Sequence, residues 1–306
     1  MKCTRLFLMM IVFLLAQVSI SLAQTEKAAK AATKPPKLLL LVHQQFKFGS
    51  EGARQKLEAA VVRACERLDV PNSWIDLQSM TGPPEDLSFD PFDSFERMGA
   101  AYAGWGQIFA SHPKLAELQD QIRVLETRER TVIAARRDDL GYRVNQIDLS
   151  KARFMRVLEV RVRPGHESDF VESFKLLGAA YEKMGADMPW VVYQVNAGTP
   201  SPTFLAFVPM RTLNENDSYL ARAPKLLEAE GEVNADRMHQ IARDAYESSE
   251  SNLYAISPTT SHVPKEFADG DPDFWLLKQS SVVRPPASSV TAENSTQKSR
   301  EAQPKQ

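Results

Sequence analysis

Two stretches of the chain place polar side chains inside runs that are otherwise typical of buried β-strands. The first, LLLLVHQQFKF, contains His43 and Gln45, and the second, MRVLEVRV, contains Glu159 and Arg161. An imidazole can carry a proton near neutral pH, and a guanidinium can hold an anionic group. Buried polar groups need partners whether or not they have a function. The two stretches therefore predict either a small-molecule site or a buried network of ion pairs and hydrogen bonds.

Side-chain alternation indicates which residues share a space with these four. Successive strand side chains point to opposite faces, so His43 and Gln45 share one face, and Glu159 and Arg161 share the equivalent face of a second strand. Two further runs, WIDLQS and WVVYQV, each carry a tryptophan and a glutamine on one side. We predict that the mixed faces of all four strands line one internal space, with the mixture of groups expected of a small-molecule site. No catalytic residue is identified. The candidate ligand-binding residues are His43, Gln45, Trp74, Gln78, Glu159, Arg161, Trp190 and Gln194.

The remaining reactive residue types lack the spacing that their chemistry needs. His239 and His262 have no neighbouring metal-ligand pattern, so no zinc site is predicted. The stretch DGDPD alternates carboxylates as a calcium loop does, but no glutamate completes the pattern, and a solvated turn is the favoured interpretation. The sequence contains no glycine-rich phosphate loop and no G-x-S-x-G nucleophile motif. Cys65 lies on the apolar stripe of a predicted helix, which favours a buried, inert thiol.

The elements that position these residues occur twice in the chain. Gly49 and Gly165 follow the first strand of each half at a separation of 116 residues, and a tryptophan opens the second strand of each half at the same separation. Such a series of ordered matches indicates an internal repeat, with two unrelated α+β domains as the alternative. Further pairs keep the order at a separation of 118 residues: Leu87 with Leu205, Phe89 with Phe207, and Pro91 with Pro209.

Each repeat has the element order β-α-β-β-α-β. Apolar residues recur at steps of three and four after both glycines, which predicts an amphipathic helix in each half. A second helical region follows in each half, with breaks expected at Pro113 and Pro224, and short strands at 131–136 and 252–257 close the halves. This is the order of the ferredoxin-like unit, whose antiparallel sheet has helices on one face only. The predicted fold class is therefore α+β: two tandem ferredoxin-like βαββαβ repeats packed sheet-to-sheet as an α/β barrel within one chain.

The second repeat resembles a known superfamily. The stretch VRVRPGHESDFVESFKLLGAAYEKMG, followed by WVVYQVNAGTPSPTFLAFVPM, is similar to the dimeric α/β-barrel superfamily, which includes antibiotic-biosynthesis monooxygenase-like and NIPSNAP-like domains. The resemblance covers about residues 37–262 as two domains, and it rests on fold markers, chiefly the R-P-G-x-E turn. It implies a ferredoxin-like barrel. Superfamily functions include cofactor-free oxygenation, haem chemistry, small-molecule binding and regulation, so the resemblance implies no single activity.

The composition and the two ends of the chain indicate where the protein is located and which partners it does not bind. Two basic residues, the apolar run LFLMMIVFLLAQVSI and Ser21-Leu22-Ala23 predict a signal peptide cleaved after Ala23, with an uncleaved membrane anchor as the alternative. We therefore expect an exported protein, periplasmic or extracellular, with no stable membrane span after cleavage. The formal net charge of -2 argues against a general nucleic-acid binder. The predicted organisation is a signal peptide (1–23), a linker (24–36), two ferredoxin-like domains (37–145 and 152–265), a packing extension (266–278) and a disordered tail (279–306).

These observations support three hypotheses about function. The leading one is an exported protein that binds a small molecule between two ferredoxin-like sheets. The second is an oxidoreductase of the same fold, cofactor-free or haem-dependent. The third is a structural or interaction protein without a ligand site. The sequence identifies neither a ligand nor a cofactor, and it is compatible both with a monomer whose halves pair as an internal pseudo-dimer and with a homodimer.

Overall fold

The computed structural model describes residues 33–276, and no helix within that range is both long and apolar enough to cross a bilayer. The predicted signal peptide, the linker up to residue 32 and the tail lie outside the described residues. The strands are β1 (Leu38–Phe46), β2 (Trp74–Ser79), β3 (Glu85–Phe92), β4 (Glu126–Arg136), β5 (Phe154–Val162), β6 (Val191–Ala197), β7 (Thr203–Met210) and β8 (Tyr246–His262). The helices are α1 (Glu51–Arg67), α2 (Phe95–Ser111), α3 (Pro113–Leu125), α4 (Glu167–Lys183), α5 (Asn214–Glu230), α6 (Glu232–Ala245), α7 (Lys265–Ala268) and α8 (Pro272–Trp275).

These eight strands join into one closed antiparallel barrel. Its order is β1-β3-β2-β8-β5-β7-β6-β4, with β4 pairing back onto β1. Each half contributes the strand order 4-1-3-2 of a ferredoxin-like unit, so the predicted α+β fold with two tandem units is confirmed. The halves meet edge to edge, through β2 with β8 and β4 with β6. Because closure leaves no unpaired sheet edge, the two sheets enclose a single interior.

The barrel interior and the outer helix layer form separate apolar regions. Interior side chains such as Leu41, Leu77 and Leu205 are almost fully buried, and each contributes about 1.5–3 kcal/mol to folding through removal from water. The repeat partners Phe89 and Phe207 meet edge to face in this interior, with ring centroids 4.9 Å apart. On the outside, α1 and α3 cover the first half and α4 packs on the second. Cys65 is buried in this outer layer, and burial raises its pKa to about 11, which keeps the thiol protonated.

Three predicted element boundaries differ from the structure: one helix break and the extents of both closing strands. The helix break at Pro113 is present, because α3 begins at that proline. The break predicted at Pro224 is not, since α5 continues through it to Glu230 and is capped by Gly231. Gly231 has a φ of 75°, a conformation that glycine adopts without steric cost, so the glycine sets the break and the proline does not. The closing strands β4 and β8 are also longer than the predicted runs 131–136 and 252–257.

The segment after β8 closes one end of the barrel. Phe267 of α7 and Trp275 of α8 are buried with the interior cluster, and Trp275 Nε1 donates to the Ser150 carbonyl at 2.7 Å. Leu276, at the carboxyl-terminal end of α8, is 59% exposed. Leu277 lies outside the described residues. This extension matters for function because it covers the end of the barrel that contains the larger cavity.

Candidate functional site at the ends of the barrel

His43 lies at one end of the barrel interior, among ion-paired side chains. It pairs across the ladder with Arg130 of β4, and its Nε2 is 3.4 Å from Arg130 Nη2. A guanidinium can only donate, so Nε2 accepts and the neutral ring carries its proton on Nδ1. That nitrogen faces Glu85 Oε1 at 3.7 Å. His43 is therefore held between a donor and a carboxylate, with neither ring nitrogen free.

Arg130 connects the two halves of the barrel at this end. Its Nη2 and Nη1 donate to the Glu159 carboxylate of β5 at 3.0 and 3.4 Å. The sequence prediction missed Arg130 because the closing strand of the first half was expected to begin one residue later. In the structure β4 begins at Glu126, which places Arg130 on the same face as the buried Val132. The signal that could have found it is the alternation from Val132 back into the charged ETRER segment.

Glu85 of β3 is the most constrained carboxylate of this polar end. Tyr254 donates its hydroxyl to Glu85 Oε1 at 2.5 Å, and Gln45 Nε2 lies 3.5 Å from Oε2. Burial alone would raise the pKa of Glu85, but hydrogen bonds from His43, Tyr254 and Gln45 outweigh burial and lower that pKa. Burial and the adjacent Glu85 raise the pKa of Tyr254, so the phenol keeps its proton. The pair is thus a stable donor and acceptor.

The polar end encloses only a small void, about 200 Å³. Two pairs among its lining residues interact directly: Arg130 binds Glu159 at 3.0 Å, and His43 Nδ1 lies 3.7 Å from Glu85. Arg161 does not reach this void, because its Nε binds Glu247 at 2.9 Å in a half-exposed ion pair at the rim. The geometry here favours the buried-network interpretation of His43, Gln45 and Glu159 over a ligand site.

In the first half, Trp74 and Gln78 lie on the opposite face of β2 from the one predicted. Trp74 Nε1 donates to the Thr260 carbonyl at 2.8 Å, and its ring packs with the outer helix cluster. Gln78 accepts from Gln55 of α1 at 3.1 Å. The apolar Leu77 takes the interior face of β2, so the two side chains do not face the interior as predicted, but Trp74 does border the larger cavity described below.

In the second half, the matching side chains of β6 and of the loop before it also lie on the outer face and not on the predicted interior face. Trp190 Nε1 donates to the Leu140 carbonyl at 2.9 Å, and its ring packs in the outer cluster. Gln194 accepts from Arg137 at 2.7 Å. Tyr193 instead faces the interior. The runs WIDLQS and WVVYQV carry large apolar groups on both faces, so alternation alone did not decide which face the helices cover.

The larger cavity lies at the other end of the barrel, with a volume of about 600 Å³. Cavities of this size hold small organic ligands. Its walls come from interior positions of both halves, and aromatic and aliphatic side chains dominate them. The sequence prediction included one lining residue, Trp74, and missed the others because each looks like ordinary core when read singly. The residues that form the deep wall are Leu39, Phe89, Met155, Val191, Tyr193 and Phe207.

Residues 33–37 cross the mouth of this cavity and are called the strap below. The Tyr193 hydroxyl donates to the Pro36 carbonyl at 2.8 Å, and Lys34 Nζ donates to the Ile147 carbonyl at 3.0 Å. The backbone amide of Arg136 also donates to the carbonyl of Lys37 at 2.9 Å. Burial raises the pKa of Tyr193, so its hydroxyl remains a donor to the strap. The strap thereby narrows the opening without filling the apolar space behind it.

A buried charged cluster lies elsewhere, on the outer face of the first half beneath α1. Carboxylate oxygens of Glu58, Asp76 and Asp86 lie within 4.8 Å of one another. Arg54 donates to both oxygens of Glu58 at 3.1 Å and contacts Asp86. Burial, and then the charge of Asp76, raise the pKa of Glu58 to about 8 against the opposing effect of Arg54. Burial also raises the pKa of Asp76 to about 6, against a hydrogen bond from Thr260 and the charge of Arg54. One guanidinium does not balance three carboxylates, so protons complete the compensation.

The second half shows that the fold does not require this cluster. The positions that match the four charged residues, 116 or 118 residues further along the chain, all carry apolar side chains that pack in one cluster. Two of their rings stack with centroids 4.0 Å apart. The same place in the fold therefore holds an aromatic core in one half and a charged network in the other. The matching residues are Phe170, Phe174, Val192 and Phe204.

Some solved structures resemble this chain in fold, but they share little of its sequence. No protein-family profile and no curated protein matches the chain. An anthrone oxidase-like protein has a TM-score of 0.48 at 14% identity, over 76% of this chain and 97% of its own. A provisionally assigned monooxygenase from Lactobacillus acidophilus has a TM-score of 0.46 at 8% identity, over 74% and 96%. Chlorite dismutase from Candidatus Nitrospira defluvii, solved with imidazole, has a TM-score of 0.43 at 8% identity, over 77% and 96%. Similarity at this level says nothing about the chemistry of this chain.

Proposed function

We propose that this protein binds an apolar small molecule inside the barrel, in the cavity beneath the strap. The observation that carries the proposal is the cavity of about 600 Å³ with its predominantly apolar deep wall. Closing a barrel normally brings interior side chains together until they fill the space, as they do at Leu41 and Leu87. An apolar space of this size stabilises an apolar occupant by about 25 cal/mol for each Å² that the occupant removes from water.

The nature of the walls supports binding over catalysis. The described residues that line the cavity include no histidine, cysteine or glutamate, and their ionisable groups other than the Tyr193 phenol lie at the mouth. The Tyr193 hydroxyl is already engaged with the strap. General acid–base catalysis needs a group within hydrogen-bond reach of the reacting atom. Export, which the amino-terminal pattern supports, would place this binding function outside the cytoplasm.

The polar end offers a weaker case for a site. Its void is about 200 Å³, a third of the volume at the other end, and Arg130 and Glu159 in its wall already form an ion pair. A ligand there would have to displace ion pairs such as Arg130 with Glu159. Removing one partner of a buried pair leaves an uncompensated charge, which is costly. We therefore assign ligand binding to the apolar end.

The test uses a neutral apolar fluorophore, N-phenyl-1-naphthylamine, titrated into the purified full chain. Saturable binding is expected, and Val191→Phe should weaken it at least about tenfold because Val191 is a 3% exposed wall residue. The matched control is Val124→Phe, at a position 66% exposed on α3, which should bind as the native chain does. Circular dichroism checks that each variant folds, and Leu39→Phe serves as a second filling variant. Absence of saturable binding, or unchanged binding in both filling variants, would overturn the proposal.

A further inference from the structure

The mouth of the apolar cavity is more basic than acidic. Three cationic residues border it, Lys34, Lys37 and Arg136, against one acidic lining residue, Asp93, and Asp138, which is ion-paired with Arg136. Lys37, Asp93 and Arg136 lie at the same end of the barrel, because Leu38 pairs with both Phe92 and Ala135, and the deep wall is apolar. A site that is apolar in depth and charged at its opening fixes the orientation of a ligand that has one charged end.

The three cations differ in their availability. Lys34 Nζ is bound to backbone carbonyls, one of them Ile147 at 3.0 Å. Arg136 Nε is bound to Asp138 at 2.6 Å. Within the described residues, Lys37 makes no side-chain hydrogen bond and no ion pair within 4.0 Å, and it is exposed. Lys37 is therefore the ammonium with its donors open to a ligand, and Arg136 is its neighbour through the backbone bond between β1 and β4.

The deep wall of the cavity offers no free hydrogen-bond donor to a polar ligand. The Tyr193 hydroxyl, the one wall donor among the deep residues named above, already donates to Pro36. A polar group placed at that depth would lose its hydrogen bonds to water without replacement, which costs several kcal/mol. The polar group of an occupant is thus expected at the mouth, and the sign of the charge there favours an anion.

We infer that the ligand is an anionic amphiphile: an apolar body seated in the barrel and a carboxylate-type head held at the mouth beside Lys37 and Arg136. This inference rests on the proposed function, since it needs the cavity to be occupied. It goes further by stating the chemical class and the orientation of the occupant.

The experiment compares decanoate with 1-decanol, which share ten carbons and differ in the head group, as competitors of the neutral fluorophore on the full chain. Decanoate should compete about tenfold better at low ionic strength, and added salt should reduce that advantage. Lys37→Gln should weaken decanoate about threefold to fivefold, the range of an exposed ion pair, and leave 1-decanol unchanged. Lys114→Gln, an exposed site on α3, is the matched control.

The possible results distinguish recognition of an anionic head group from apolar binding in the cavity. If the fluorophore binds but the acid and the alcohol compete equally, the anionic head is refuted while apolar binding stands. If decanoate is preferred and neither Lys37→Gln nor Arg136→Gln changes that preference, the recognition at the mouth is refuted. If the fluorophore itself does not bind, both fall together.

Discussion

Glu58 allows a stability prediction whose sign runs opposite to that of most acidic residues. Its pKa is raised from 4.5 to about 8, by burial first and by the charge of Asp76 second. A raised folded-state pKa means that the native state binds more protons than the unfolded chain between those two values. The stability contributed by this group is therefore fully present below about pH 4.5 and is lost as the pH rises through about 8.

The perturbation is Glu58→Gln, which keeps an acceptor for Arg54 and mimics the protonated acid. A shift from 4.5 to about 8 corresponds to roughly 5 kcal/mol when every unit is counted at 1.36 kcal/mol. The ionisation of Glu58 is linked to the charges of Asp76 and Arg54. We therefore expect only about 2–3 kcal/mol of this free energy in the measured stability difference. The variant should match the native chain at pH 5 and exceed it by that amount at pH 9.

Urea denaturation at pH 5, 7 and 9 measures this difference directly. Glu66→Gln, at an exposed position of the same helix, is the control and should track the native chain at every pH. The reasoning is refuted if the native chain and Glu58→Gln show the same change in free energy of unfolding between pH 5 and pH 9. That result would mean that ionising the buried Glu58 costs no stability.

Three further predictions concern the barrel itself. Phe207→Ala should lower the free energy of unfolding by about 3–5 kcal/mol because the ring is 2% exposed, whereas Phe48→Ala, at 95% exposure, should change it little in the same denaturation assay. Gly198→Ala should destabilise far more than Gly49→Ala, since both have positive φ but only at Gly198 would a Cβ strike the neighbouring strand backbone; thermal melts of the two variants test this. Tyr193→Phe should cost about 1 kcal/mol through loss of the strap hydrogen bond, and faster amide exchange at the strap is the specific readout.

The repeat made the architecture predictable from the sequence. Markers such as Phe89 and Phe207 keep the same register in both halves because both occupy the crowded barrel interior, where side-chain size is constrained. The faces of β1 and β5 were also assigned as the structure has them, with Leu39 and Leu41 in the interior.

Other features could not be read from the sequence. Trp74 and Trp190 were assigned to the wrong face because β2 and β6 have large apolar groups on both sides, and only the helices that cover them decide between the two. Arg130 sits in a charged segment that resembles a loop until its strand partner is known. The cavity depends on the summed volumes of side chains from many strands, which no local pattern records.

The polar end carries a consequence for how the two halves recognise each other. His43 and Arg130 pair across the ladder in the first half, and the matching pair in the second half is Glu159 with Glu250. Two copies of the first half would leave both Arg130 guanidiniums without the Glu159 carboxylate, and two copies of the second would bring four carboxylates together. Like charges in that position disfavour self-association, while the mixed pair forms ion pairs. At this end of the barrel the two halves are therefore complementary in charge and not interchangeable.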